Sequence, residues 1–307
     1  MKSLSSTLEL FRNRVSWNDI DKDFVRQHLR LCLFEDTGVF SCPEPWKYDV
    51  STFNCSINGN GKASIVAREN MVCSGLALIP MILEIFRTEE VHAELMVKDG
   101  DVVTKETILG NLVGSVRHLL FIERTLLNFL QKLSGISTYT LKLFQIIEPY
   151  EVGLLDTRKT TPGLRQLEKY ATACGGSFNH RMGLNDRILI KDNHLAAANV
   201  ESASDLFEFL RKIREKNQNI LIELEIDHLE YLNPAIDAEI DVILLDNFSP
   251  SDVQEAVSNS QGRILTEVSG GIGLENLEEF AKTQPDFIST GAPTHSSRWV
   301  DIGLDWN

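Results

Sequence analysis

The 307-residue chain has no apolar run near the ~18 residues that a membrane-spanning helix needs. Its first residues, MKSLSSTLEL, have no apolar core of the secretory kind, so the expected location is the cytoplasm. No Cys-x-x-Cys pair occurs, and the five cysteines (Cys32, Cys42, Cys55, Cys73 and Cys174) are odd in number and scattered. That pattern fits reduced thiols better than a disulfide framework or a zinc site. No Gly-x-Gly-x-x-Gly follows any strand-like segment, which argues against a dinucleotide-binding Rossmann fold. Basic charge is in deficit: 30 Lys and Arg against 44 Asp and Glu give a net charge of -14. A duplex nucleic acid selects the opposite balance. What remains is a globular protein with enough chain for a large core, 43% hydrophobic and 24% charged.

The first third reads as mixed α+β. Residues 1 to about 33 have a helical pattern, with Val25, Leu29, Leu31 and Leu33 among charges. Glu35 to Thr52 is rich in turn formers and reads as a loop. GKASIVAREN suggests a strand and CSGLALIPMILEIFRTEE a helix. From Val91 to Val116 apolar and polar residues alternate around Asp99-Gly100, as in antiparallel strands. A helix is expected from about His118 to Leu133, apolar along Leu119, Ile122, Leu126, Phe129, Leu130 and Leu133, with Gly135 as its stop.

After about Tyr150 short apolar runs recur, each ending in a polar or glycine-rich tip: VGLLD, RILIKD, ILIELEID, DVILLD, RILTEVSGG and FISTGAPTH. The tips Asp156, Lys191, Glu225, Asp246, Glu267 and Gly291 lie 35, 34, 21, 21 and 24 residues apart. Helical patterns fill most intervals. One is expected to open at Thr161-Pro162 and close at Gly175, a second runs through ASDLFEFLRKIREKN, and a third opens at Ser249-Pro250. Strand, tip and helix in succession indicate parallel βα units. In a barrel all six tips surround one mouth, whereas an open sheet lets only those at its switch point share a ligand. Reactive or glycine-rich groups at every tip favour the barrel.

Such a mouth would gather Arg158, Lys159, His180, Arg181 and Lys191, a cationic set that calls for a compact polyanion. Glu225, Asp246 and Glu267 would stand at the same rim, able to bind sugar hydroxyls or a Mg²⁺ held mostly by ligand phosphates. Ser269-Gly270-Gly271 and Thr290-Gly291-Ala292 offer backbone N–H groups without bulk, as phosphate sites on late barrel strands do. Singly, each is an ordinary loop residue, and His194 or His295 alone would be a plain core or surface histidine. The recurrence at every tip is what carries the argument.

The blocks DTRKTTPGLRQLEKYA and CGGSFNHRMGLNDRILIKDNH closely resemble the quinolinate phosphoribosyltransferase family, also called nicotinate-nucleotide pyrophosphorylase (carboxylating). IERTLLNFLQKLSGIST, LLDNF, EVSGGI and STGAPTHS match further blocks in order, so the resemblance covers about Gly61 to Ser296. It implies an N-terminal α/β-sandwich domain with a connecting helix (1–135), an incomplete six- or seven-stranded α/β barrel bearing the active site (136–292), and a tail (293–307) returning to the N-terminal domain. It also implies a homodimer with shared active sites. The reaction would transfer phosphoribose from 5-phosphoribosyl 1-pyrophosphate (PRPP), accompanied by Mg²⁺, to quinolinate, with loss of the 2-carboxylate. The products would be nicotinate mononucleotide, pyrophosphate and CO₂.

By the same resemblance, Thr157, Arg158, His180, Arg181 and Lys191 would line the quinolinate pocket, with Arg124 donated by the partner subunit. Lys159, Glu225 and Asp246 would meet PRPP, the two carboxylates facing ribose hydroxyls and, indirectly, the metal. Ser269, Gly270, Gly271, Thr290, Gly291, Ala292 and His295 would hold its 5′-phosphate. Lys159, Lys191, Glu225 and Asp246 would be the catalytic groups. Two departures from the family pattern stand out: an inserted Val39–Tyr48 between Glu35-Asp36-Thr37-Gly38 and Asp49-Val50-Ser51-Thr52, and Pro293 where Leu is usual. The competing readings are a phosphoribosyltransferase for another acceptor such as nicotinate, a barrel aldolase with a Schiff base on Lys191, and a non-catalytic anion-binding relative.

Overall fold

The computed structural model describes residues 4–88, 90–260 and 262–306. Among them the strands run, in chain order, β1 (Asn60–Ala67), β2 (Met71–Val72), β3 (His92–Leu95), β4 (Val102–Val103), β5 (Ile108–Ser115), β6 (Gly153–Leu155), β7 (Ile188–Ile190), β8 (Ile222–Ile226), β9 (Val242–Asp246), β10 (Leu265–Ser269), β11 (Phe287–Ser289) and β12 (Ile302–Trp306). The chain divides into two units, one built on an antiparallel sheet and one on a parallel sheet.

The antiparallel unit takes in Val15–Leu141, Thr161–Gly175 and the chain from Ser296. Its sheet has the order β12-β1-β5-β3. The alternation around Asp99-Gly100 does yield antiparallel strands, but not one hairpin: β3 pairs with β5, while β4 pairs with β2. The cause is the turn itself. The Asp99 carboxylate accepts hydrogen bonds from the amides of Leu76 and Ala77 and from the Tyr170 hydroxyl, which fastens the turn away from β3.

Several expected helix limits shift: the helix expected over CSGLALIPMILEIFRTEE spans only Ile79–Ile85, and three other shifts have a cause in the contacts. The N-terminal helical stretch is interrupted at residues 12–21; the helix Lys22–Thr37 starts afresh with Asp21 accepting from the amides of Asp23 and Phe24. The helix expected to open at Thr161-Pro162 begins at Arg165, because Gly163 takes φ +80° and the Thr161 amide donates to the Glu168 carboxylate. The Leu-rich helix runs from Val116 to Ile147, straight through Gly135. A Cβ at Gly135 would lie 2.3 Å from the Arg298 carbonyl oxygen, so this glycine serves a close backbone crossing and not a helix stop.

The inserted segment is ordered by aromatic contacts. Phe40 stacks on Phe34 at 4.3 Å, and the Trp46 ring covers the Arg117 guanidinium at 4.3 Å.

The parallel unit takes in the chain up to Arg14, Lys142–Thr160 and Gly176–His295. Its six strands lie in the order β6-β11-β10-β9-β8-β7. Beyond β6, Phe178 continues the sheet through a parallel bridge to Leu155. This is the incomplete α/β barrel. Its strands are three to five residues long and almost wholly buried, as strands covered on both faces must be. Val242, Leu265 and Phe287, the first residues of β9, β10 and β11, pack with Leu155 around Phe11 of the helix Leu4–Phe11. Phe11 therefore plugs the N-terminal end of the barrel, leaving chemistry to the other end.

Candidate active site

The strand ends converge as the tips require. A cavity of about 430 Å³ at the C-terminal end of the barrel is lined by Thr157, Arg158, Lys159, His180, Arg181, Lys191, Glu225, Asp246, Glu267 and Ser269, all expected from the sequence, together with Leu189, Leu244 and Ser289. The deeper lining residues obey strand periodicity. Leu189, Leu244 and Glu267 each precede by two residues a side chain at the mouth (Lys191, Asp246, Ser269), and so point inward one step deeper. By the same spacing Glu223 lies beneath Glu225, and it is fully buried. Glu267, expected at the rim, is also fully buried, because β10 runs two residues further, to Ser269. Counting back two from the tips Lys191, Glu225 and Asp246 would have found Leu189, Glu223 and Leu244.

The segment after β6 is pinned from both sides. The buried Asp156 carboxylate accepts from the Asn179 side-chain amide at 2.6 Å and from the His180 backbone amide at 2.9 Å, tying the strand end to the turn that bears His180 and Arg181. Thr157 Oγ1 accepts from the Lys159 amide, and the Thr294 hydroxyl donates to the Lys159 carbonyl at 2.6 Å. Arg158 and Lys159 thus sit on a fixed turn, which limits the entropy lost on binding an anion.

The electrostatics define what fits. Arg158 and Arg181 each have a buried Nε without a hydrogen-bond partner among the described residues. The Arg181 pKa is lowered, first by burial and then by the neighbouring Arg158 cation. Two guanidinium groups that repel one another in a half-dry pocket need an anion with paired oxygens. Across the cavity Lys191 forms an ion pair with Glu225. Asp246 accepts from the Asn247 side-chain amide at 2.8 Å.

Glu225 and Asp246 are hard oxygen donors at the mouth, and they suit a divalent ion that keeps most of its ligands from phosphates and water. A second donor set exists among the described residues: His180, Glu223 and Glu267 bring ligating atoms within 4.8 Å of one another, all buried. Arg187 lies 3.7 Å from Glu223, however, and already supplies positive charge there.

At the late strands Gly270 adopts φ +100°, and a Cβ there would meet Asn247 Oδ1 at 2.3 Å. A Cβ on Gly291 would lie 2.9 Å from the His295 ring and 3.2 Å from Lys159 Cδ, so this glycine keeps the three groups together. Part of the expected backbone cradle is used internally. The Thr290 amide donates to the Leu155 carbonyl, and the Ala292 amide to the Thr290 hydroxyl. Arg124 is exposed on the helix Val116–Ile147, in the antiparallel unit.

Comparisons with known proteins identify the family. The family model for the quinolinate phosphoribosyl transferase C-terminal domain matches residues 136–305, and that for the N-terminal domain matches residues 49–134. The chain belongs to the quinolinate phosphoribosyltransferase family.

It is 41% identical over 245 residues to a probable carboxylating nicotinate-nucleotide pyrophosphorylase of Bacillus subtilis, covering 80% of this chain and 83% of that one. It is 36% identical over 293 residues to the carboxylating nicotinate-nucleotide pyrophosphorylase of Mycobacterium leprae, covering 94% and 99%. The solved nicotinate-nucleotide pyrophosphorylase of Francisella tularensis superposes with a TM-score of 0.86 at 35% identity, over 96% of this chain and all of that one. The protein is accordingly a phosphoribosyltransferase of the carboxylating nicotinate-nucleotide pyrophosphorylase type. No helix among the described residues is long and apolar enough to cross a membrane.

Proposed function

We propose that the barrel cavity binds quinolinate beside Mg²⁺-PRPP and joins them, with decarboxylation, in the cytoplasm. The supporting observation is the pair Arg158 and Arg181, each with a buried unpartnered Nε, opposite the carboxylates Glu225 and Asp246 in one cavity. A pyridine dicarboxylate answers the first pair and the Lys191 ammonium. The ribose hydroxyls of PRPP answer the second.

In this reading Thr157, Arg158, His180, Arg181 and Lys191 form the acceptor side, completed by Arg124 from the second subunit of a homodimer. Lys159 meets the phosphates, and Ser269, Gly270, Gly271, Thr290, Gly291, Ala292 and His295 surround the 5′-phosphate. Glu225 and Asp246 would be the protein's donors toward Mg²⁺, which when bound offsets the charge of the pyrophosphate leaving group.

Fixed positions do most of the work. Cleavage of the C1–pyrophosphate bond leaves positive character on the ribose, which Glu225 and Asp246 stabilise from set positions. The quinolinate ring nitrogen carries no proton near neutral pH, so it attacks C1 without a general base, and holding it in line supplies effective molarity. The ring is then a pyridinium. It accepts the electron pair of the breaking C2–carboxylate bond, CO₂ departs, and C2 takes a proton from solvent. The expectation is nicotinate mononucleotide from quinolinate and PRPP, with none from nicotinate supplied in its place. Product from nicotinate would reassign the acceptor, and silence with both in folded protein would refute the reading.

A further inference from the structure

Beneath the acceptor pocket a buried polar chain runs from the barrel floor up to His180 and Arg181 in the pocket wall. It begins at the barrel plug, where the Arg187 guanidinium sits 3.9 Å from the centre of the Phe11 ring. Arg187 Nη1 lies 3.7 Å from Glu223 Oε2, and Glu223 Oε1 lies 3.3 Å from His180 Nε2. On the other side of that imidazole, Nδ1 is 2.8 Å from the backbone nitrogen of Arg181. Glu223 is fully buried, and His180, Arg181 and Arg187 are each 7% exposed.

Hydrogen-bond polarity reads this chain unambiguously. A backbone N–H can only donate, so Nδ1 of His180 carries no proton and accepts from Arg181. The imidazole proton is therefore on Nε2 and is donated to Glu223, with Glu267 Oε1 beside it at 3.5 Å. Both ring nitrogens are thereby engaged inside the protein. His180 presents to the cavity a ring and not a free donor, while Arg181, whose amide it holds, keeps an unpartnered Nε.

We propose that Glu223, backed by Arg187, is a positioning residue for the acceptor: it locks His180 in the Nε2–H tautomer, and His180 in turn fixes the Arg181 backbone so that its guanidinium meets the acceptor carboxylate. This rests on Arg181 belonging to the quinolinate side of the site. Bidentate recognition is demanding in angle as well as distance, so a shift of this turn falls on acceptor binding and not on PRPP, which contacts other strand ends. It also explains why a fully buried carboxylate and an arginine stand where a barrel floor is ordinarily apolar.

The test uses the full-length protein labelled with ¹⁵N-histidine. Correlation spectra of the wild type are expected to show His180, assigned by loss of its signal in His180→Gln, as the pure Nε2–H tautomer. A protonated Nδ1 would overturn the proposal whatever the enzyme's activity, so the structural claim and the functional reading fail separately. Glu223→Leu is expected to mix the His180 tautomers and to raise the quinolinate KM about tenfold or more, with the PRPP KM within about twofold of wild type.

Because Glu223→Leu leaves Arg187 unpaired, the double variant Glu223→Leu/Arg187→Met, which removes both charges, guards against simple misfolding. Folded double variant with an unchanged quinolinate KM, or with both KM values raised alike, would contradict a positioning role.

Discussion

At the residue scale, the acceptor pocket is a matter of charges that lack partners. Arg181 is buried beside the Arg158 cation, and a carboxylate relieves both penalties at once. Arg181→Ala should raise the quinolinate KM by order 10²-fold, the effect of one bidentate contact of about 3 kcal/mol, with little change for PRPP. An unchanged quinolinate KM would remove Arg181 from the pocket.

Glu267 makes a separate, titrating prediction. Burial and the neighbouring Glu223 charge push its carboxyl up to about 7. The folded protein then holds a proton that the unfolded chain releases above its ordinary value of 4.5. Stability from this group is complete below that value and declines as pH rises toward 7. Glu267→Gln imitates the protonated form, so it should flatten that decline and leave the variant more stable than wild type at pH 8. Denaturant titrations at pH 4.5 and 8 would check it; parallel pH profiles would mean that Glu267 is ionised throughout.

At the scale of elements, the parallel half was legible and its floor was not. Short apolar strands with polar tips announced the βα repeat and the side chains at the mouth, because the chain must turn where the apolar run ends. Glu223 and Glu267 were harder to assign. They sit inside strands buried on both faces, where no alternation marks which residues point inward; a count of two back from Glu225 recovers Glu223, whereas Glu267 was taken for a tip because β10 ends two residues later, at Ser269.

Long-range contacts hid other features. Gly135 looks like a helix stop until the Arg298 carbonyl, far away in sequence, is seen against it. Gly135→Ala should therefore destabilise the protein by roughly 1–3 kcal/mol through overpacking, although alanine is the better helix former. Stabilisation by that substitution would show that the crossing can give way. Phe11 is a similar case: nothing in LSSTLELF distinguishes a surface helix from a barrel plug. With its ring 5.4 Å from Phe287 and fully buried, Phe11→Ala should cost about 3–5 kcal/mol, read as a fall in denaturant midpoint.

At the scale of the whole molecule, a chain of net charge -14 nevertheless gathers Arg158, Lys159, Arg181 and Lys191 in one cavity, which attracts small dianions there. If two subunits build each site, inactive Arg124→Ala and inactive Arg158→Ala proteins, mixed and allowed to exchange, should recover part of the wild-type activity, since one site of each heterodimer is then intact. Heterodimers that form and stay inactive would confine each site to one chain. The central claim is that a single cavity couples phosphoribosyl transfer to loss of the 2-carboxylate. The most direct measurement supplies quinolinate labelled with ¹³C in that carboxylate, together with PRPP and Mg²⁺, and follows labelled CO₂ and pyrophosphate. The account predicts equal amounts of the two and none of either without PRPP; pyrophosphate released without labelled CO₂ would contradict it.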